Sequence, residues 1–157
     1  MLPNKDGAKV RFPPPLFFLG AIIAGVIVQR TSIPLSFSVA AGIRIAGGVL
    51  VLACGVSLVL SARIWFTRTG QSPIPWKPTP ELILQGPYRF TRNPMYVGVT
   101  LFVIGLGLTL NNLWISLFAA PALLAVHFIA VLPEERYLAE KFGESYRSFL
   151  GRVRRYF

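Results

Sequence analysis

The run Ile45-Ala-Gly-Gly-Val-Leu-Val-Leu-Ala-Cys-Gly-Val-Ser-Leu-Val-Leu-Ser-Ala62 carries no charge along its whole length. As an α-helix it would be about 27 Å long, at 1.5 Å per residue. That is close to the roughly 30 Å hydrocarbon core of a bilayer. Reading outward, three further apolar segments follow the same pattern: Leu16–Val28, Met95–Leu110 and Leu113–Leu132, the last holding His127. The first of them reaches spanning length only if neighbouring residues contribute. The chain is 54% hydrophobic and 14% charged, whereas soluble domains carry roughly 25% charged residues. So few charges cannot cover a soluble surface. The expected fold is therefore all-α: a polytopic membrane helical bundle of about four transmembrane helices, forming a single domain over residues 1–157.

The net charge of +10 would suit nucleic acid if it formed one patch. Instead the basic residues cluster between the apolar runs, and no recognition module interrupts them, so nucleic acid is not an expected partner. Fourteen of the sixteen Lys and Arg fall on one side when alternate connections are grouped. These are Lys5, Lys9 and Arg11, then Arg63, Arg68, Lys77, Arg89 and Arg92, then six between Arg136 and Arg155. Arg30 and Arg44 fall on the other. The positive-inside rule then places both termini in the cytoplasm. The N-terminal segment looks like a signal peptide, but Gln29-Arg30-Thr31 follows where a small-x-small cleavage site would stand, so an uncleaved anchor is expected. Cys54 is the single cysteine; it allows no intrachain disulfide and no cysteine-based metal site.

Two stretches depart from plain spanning helix. Arg63–Asn93, with Pro94 just beyond, holds Pro73, Pro75, Pro78, Pro80 and Pro87 together with Gly70 and Gly86. Proline removes a backbone donor and restricts its predecessor, so this stretch is a loop. Trp76 and Leu82–Leu84 would hold it at the cytoplasmic interface. After Leu132, Pro133-Glu134-Glu135 reads as a helix start, with proline and acids in the first turn. Leu138, Phe142, Tyr146, Phe149 and Val153 then recur at three or four residues. That stripe predicts a C-terminal amphipathic helix on the membrane or folded under the bundle, with Gly143 as its weak point. Glycine recurs within the apolar runs, as close packing between membrane helices requires and as membrane helices commonly show in any case.

Only six acids occur. No Ser-His-Asp arrangement, phosphate-cradling glycine loop or metal-ligand cluster is present, so hydrolysis, phosphoryl transfer and metal chemistry lack support. Two polar blocks remain, at the cytoplasmic ends of spans. One is Gly86-Pro-Tyr-Arg-Phe-Thr-Arg-Asn-Pro-Met-Tyr-Val-Gly98. The other is Glu134-Glu135, continued by Phe142-Gly-Glu-Ser-Tyr146 and Arg152-Val153. In this order the blocks resemble the signature of the isoprenylcysteine carboxyl methyltransferase family, related to the phospholipid N-methyltransferases, in a small bacterial-type form. The likeness runs from about Gly70 to Val153.

The resemblance implies an integral membrane enzyme, in the bacterial inner membrane, that uses S-adenosylmethionine in a cytoplasm-facing pocket. Its lipophilic or prenylated substrate enters from the surrounding membrane lipid. By the same likeness Tyr88, Arg92, Asn93, Tyr96, Gly98, Glu134 and Glu135 hold the cofactor, Arg152 and Arg89 serve the transfer site, and no metal is involved. Two positions depart from the pattern: Asn93 stands where histidine is usual, so an amide replaces an imidazole, and Arg154 stands where proline often follows. The residue chemistry agrees with this reading: carboxylates suit ribose hydroxyls and an ammonium, and a guanidinium suits a carboxylate. The expected reaction is carboxyl O-methylation, which needs no general base. Methylation of a phospholipid amine is the alternative, and so is a non-catalytic scaffold of the same fold. Oligomeric state is not legible. His127 stands seven residues before Glu134, on the same face of an unbroken helix.

The orientation has a direct check. A reporter active only in the cytoplasm should give signal when fused after Phe157 and none when fused at Asn112; the opposite pattern would refute the orientation.

Overall fold

The computed structural model describes residues 8, 10, 12–74 and 77–156. Lys5, Lys9 and Arg11 of the basic arm, Pro75 and Trp76 of the loop, and Phe157 lie outside the described residues. The fold is all-α, a membrane helical bundle. Its helices are α1 (Pro15–Thr31), α2 (Ala41–Arg68), α3 (Pro94–Thr109), α4 (Leu113–Val126), α5 (Leu132–Phe142) and α6 (Glu144–Arg152). A 3₁₀ turn covers Gly86–Arg89, and a wide π turn, His127–Val131, joins α4 to α5. Two stretches are long and apolar enough to cross a membrane: α2, of 28 residues, and the unbroken helix Leu113–Phe142, of 30. The helices α1 and α3 are apolar but shorter, at 17 and 16 residues.

Local chemistry explains these bounds. Within lipid a single segment satisfies its backbone polar groups only as a helix. α2 runs past Ile45–Ala62 at both ends because Arg44, Arg63 and Arg68 carry apolar stems that extend the helix toward water. At its first turn the Arg44 guanidinium donates to the carbonyls of Leu108 (2.6 Å) and Thr109 (2.8 Å), closing the end of α3. Pro94 opens α3, where its missing N–H costs nothing. Asn111, at φ 56°, makes the left-handed step that asparagine tolerates. Asn112 caps α4 by accepting from Ile115 N at 3.2 Å.

One expectation is corrected. Pro133 does not start a new helix, because the chain enters α5 directly from the π turn. Leu132 N donates to the His127 carbonyl, five residues back. A wide turn here eases the contact between the proline ring and the preceding turn, and the helix continues through it. Gly143, at φ 52°, does separate α5 from α6, as its place in the stripe predicted. Tyr146 and Phe149 of that stripe are buried, so α6 folds against the protein.

In packing order the four long helices run α2, α3, α4, α1: α2 packs chiefly on α3, α3 on α4, and α4 on α1. The glycines divide into two classes. A Cβ at Gly55 would stand 2.5 Å from the Gly98 carbonyl oxygen, and one at Gly105 would stand 2.5 Å from Leu52 N. A Cβ at Gly25 would meet Ile115 at 2.7 Å. Gly20, Gly42 and Gly47 have nothing within 4 Å. Backbone proximity therefore explains the first group, and the second faces outward.

This division predicts opposite mutational outcomes. Gly55→Ala should lower the melting temperature in detergent by the equivalent of about 1–3 kcal/mol, the usual scale of overpacking. Gly47→Ala should leave it unchanged or slightly higher, since alanine favours helix. Equal effects would mean that α2 and α3 are not in backbone contact.

Candidate functional site

Where α3 and α5 meet the loop, the chain encloses a cavity of about 400 Å³, within the roughly 300–1,000 Å³ usual for small-molecule sites. Its apolar wall includes Pro14, Pro15 and Phe18 of the α1 end, Phe66 of α2, Ile83 of the loop, and Met95 and Val99 of α3. Its polar wall is made by Tyr88, Arg92, Asn93, Tyr96 and Glu134. Exposed Glu81 also lines it. Tyr146 and Phe149 bring α6 to the same space, which is how the stripe of the sequence is used.

Two carboxylates anchor the polar wall, each held differently. Glu134 Oε1 accepts from the Tyr96 hydroxyl at 2.8 Å; no salt bridge of Glu134 occurs among the described residues. Glu135 takes two guanidiniums. Arg155 donates to it through Nε at 3.0 Å and Nη2 at 2.8 Å, and Arg92 Nη1 lies at 3.3 Å. The Arg92 and Glu135 side chains are 11% and 13% exposed. The Arg92 Nε is buried with no hydrogen-bond partner among the described residues. A buried donor left unmade is costly, and it belongs to a residue that lines the cavity.

The segment following α6 backs the polar wall without lining the cavity. It is extended, with Val153 at φ −121° and ψ 131°, and Arg154 forms a parallel bridge with Thr91. Arg92 N donates to the Arg154 carbonyl at 3.0 Å. The Arg155 carbonyl accepts from Thr91 Oγ1 at 3.0 Å and from Asn93 Nδ2 at 3.1 Å. The Tyr156 hydroxyl lies 2.8 Å from His127 Nδ1. Burial raises the Tyr88 and Tyr146 phenols above the usual tyrosine range, with Glu134 adding to the first and Glu135 to the second. Both are neutral hydroxyls at physiological pH. The hydrogen bonds to Glu135 raise the Arg155 guanidinium further, so it stays charged.

Of the residues singled out in the sequence, Tyr88, Arg92, Asn93, Tyr96 and Glu134 come together around the cavity, with Glu135 bonded to Arg92 just behind it. The other three lie elsewhere. Gly98 packs against α2, where an added Cβ would meet the Gly55 carbonyl oxygen and Val59. Arg89 is exposed beside Phe90 in a shallow groove with Trp65 of α2. Arg152 is exposed and donates to the Ser148 carbonyl of its own helix at 3.3 Å. The structure instead brings Arg155 to Glu135, behind the wall, since α6 ends at Arg152 and helical angles no longer apply beyond it. Thr91 and Tyr156 escaped notice, and Arg155 had no expected place at the site, because side-chain types alone do not reveal the bridge between Thr91 and Arg154. His127 has Tyr156 as its partner; the π turn breaks the register by which it would share a face with Glu134. Among the described residues no group of three or more His, Cys, Asp and Glu could hold a metal ion.

Two comparisons bear on this arrangement. The family described as phospholipid methyltransferase matches residues 43–145, from α2 into α6. The cobalt-zinc-cadmium resistance protein CzcN of Cupriavidus metallidurans is 31% identical over 90 residues. The match covers 57% of this chain and 40% of that protein, so it spans about two fifths of the relative's length.

Proposed function

We infer the function from one premise: the chain belongs to the phospholipid methyltransferase family. It is a membrane methyltransferase. In our reading the methyl group comes from S-adenosylmethionine and passes to a lipophilic acceptor. The protein lies in the bacterial inner membrane with its cavity toward the cytoplasm, which the distribution of basic residues supports. The observation that carries this reading is the cavity itself, apolar along one wall and polar along the other, with an unspent buried donor on Arg92.

The residues present fit the cofactor. The unpaired N–H of Arg92 suits its carboxylate, and Glu134 suits an ammonium or a ribose hydroxyl. Bound there, S-adenosylmethionine supplies an electrophilic methyl group on a sulfonium. The protein's share is to align the acceptor and exclude water, and the apolar wall from Pro14 to Val99 serves the second purpose.

For the acceptor, a headgroup amine is the better supported class. Arg92 is the one Lys or Arg among the described lining residues, and its charge is already shared with Glu135. A carboxylate acceptor, expected from the sequence, would place another anion beside Glu134 with no free cation to receive it. An ammonium must shed a proton before accepting a methyl group, and Glu134, without a salt bridge among the described residues, offers a carboxylate to take it. CzcN is named for metal resistance, and the absence of a metal-binding cluster among the described residues gives that role no support here.

The test pairs binding with product analysis. Glu134→Gln and Glu135→Gln should each weaken S-adenosylmethionine binding by roughly ten- to a hundredfold, the scale of one charge-assisted hydrogen bond. Unchanged affinity in both would leave these acids a purely structural role. Incubation with methyl-labelled cofactor and total membrane lipid should give a base-stable N-methyl product; a base-labile label would identify an ester and restore the carboxylate acceptor.

A further inference from the structure

Arg155 lies beyond the Arg152-Val153 end of the sequence likeness and outside the cavity lining, yet it makes the most complete ion pair among the described residues. Both Glu135 oxygens accept from it. Both of its neighbours are fastened as well: Arg154 by the Thr91 bridge and Arg92 N, and Tyr156 by His127. The Arg155 carbonyl itself holds Thr91 and Asn93. Three consecutive residues thus bind the approach to α3, the start of α5 and the π turn.

What passes through this knot is the position of Arg92. Its backbone N–H is bound to Arg154 and its Nη1 to Glu135, while its Nε is buried with no partner among the described residues and the residue itself lines the cavity. A guanidinium on a flexible stem has many rotamers, and leaving one donor fixed toward a cavity requires the others to be tied down. Arg155 holds the Glu135 carboxylate in a bidentate fork, which fixes the plane in which Arg92 meets it.

We propose that Arg155 is a positioning residue: through Glu135 it fixes the Arg92 guanidinium at the cavity wall, and with Arg154 and Tyr156 it makes the segment after α6 a latch across the polar end of the site. Arg155 touches neither cofactor nor acceptor. A lysine in its place keeps the charge and loses the fork.

The affinity arm of the test rests on the cofactor reading above, and a second arm does not. The full chain in detergent is titrated with S-adenosylmethionine by calorimetry as wild type, Arg155→Ala and Arg155→Lys. Arg155→Ala should weaken binding roughly tenfold or more, and Arg155→Lys by an intermediate amount. Added to Glu135→Gln, Arg155→Ala should weaken binding little further, because the two act as one unit. In parallel, modification of Arg92 by phenylglyoxal is followed by mass spectrometry. It should be slow in the wild type and faster in both Arg155 variants. A purely structural role would lower the melting temperature but leave the affinity of the folded protein and the reactivity of Arg92 unchanged. Affinity within about twofold of wild type in Arg155→Ala overturns the proposal. If that variant does not fold, the same result in Arg155→Lys overturns it. If the wild type binds no S-adenosylmethionine, the functional reading falls, and the positioning role then stands or falls on the Arg92 modification rate.

Discussion

A carboxylate at a membrane surface that is nearly closed to water must find cations or give up its charge. Glu135 finds two, Arg92 and Arg155, from segments 43 and 20 residues away in the chain. For the Arg92–Glu135 pair, 11% and 13% exposed, losing one partner costs about 3–5 kcal/mol because the other is left uncompensated; Arg155, 37% exposed, contributes less because water screens it. That constraint fixes more than itself. It ties the first turn of α5 both to the segment after α6 and to the approach to α3. Glu134, one residue earlier, is bonded among the described residues by the Tyr96 hydroxyl. Adjacent acids in the sequence thus do different work: one joins the segments, and the other lines the cavity.

The second constraint is the backbone contact between α2 and α3. Gly48, Gly55, Gly98 and Gly105 leave no room for side chains there, so the two helices run in direct contact. The bundle extends as a row from α2 to α1 rather than closing into a ring, and α2 and α1 flank α3 without packing on each other. The cavity takes advantage of that gap: Phe66 of α2 and Phe18 of α1 contribute to one apolar wall, with Met95 and Val99 of α3 between them. Apolar side chains from three helices thus form one side of the cavity, while the polar wall is supplied by the loop, the start of α3 and α5.

The parts of this arrangement legible in the sequence are those encoded locally. Charge-free runs dictate helices, Pro94 marks where α3 begins, and the apolar spacing of Tyr146 and Phe149 marks the buried side of α6. The order of the polar blocks brought Tyr88, Arg92, Asn93, Tyr96, Glu134 and Glu135 to one place. What escaped depends on tertiary geometry. Gly98 serves helix contact, and no sequence feature separates such a glycine from one facing a ligand. Arg152 and Arg155 are both arginines on a basic stretch. Choosing between them required knowing that the helix stops between them and that an extended segment takes over. Arg89 and Arg92 are three residues apart, but the 3₁₀ turn ends between them and they point to different surroundings.

The π turn shows how these constraints interlock. An unbroken α-helix advances about 100° per residue, so one residue inserted by a wide turn rotates everything after it by about that amount. Here the turn falls at His127–Val131, immediately before Pro133 and the two acids. It relieves the proline and at the same time changes which face Glu134 and Glu135 present. His127, at the start of the turn, is held by Tyr156, and Glu135, just beyond it, by Arg155. The same short segment therefore grips the helix on both sides of its irregular turn. A π turn is less favourable than regular helix and persists where surrounding contacts determine it. The contacts from Arg155 and Tyr156 are of that kind. The direction of the acids and the docking of the segment after α6 are accordingly one structural solution, reached from both ends of the same helix.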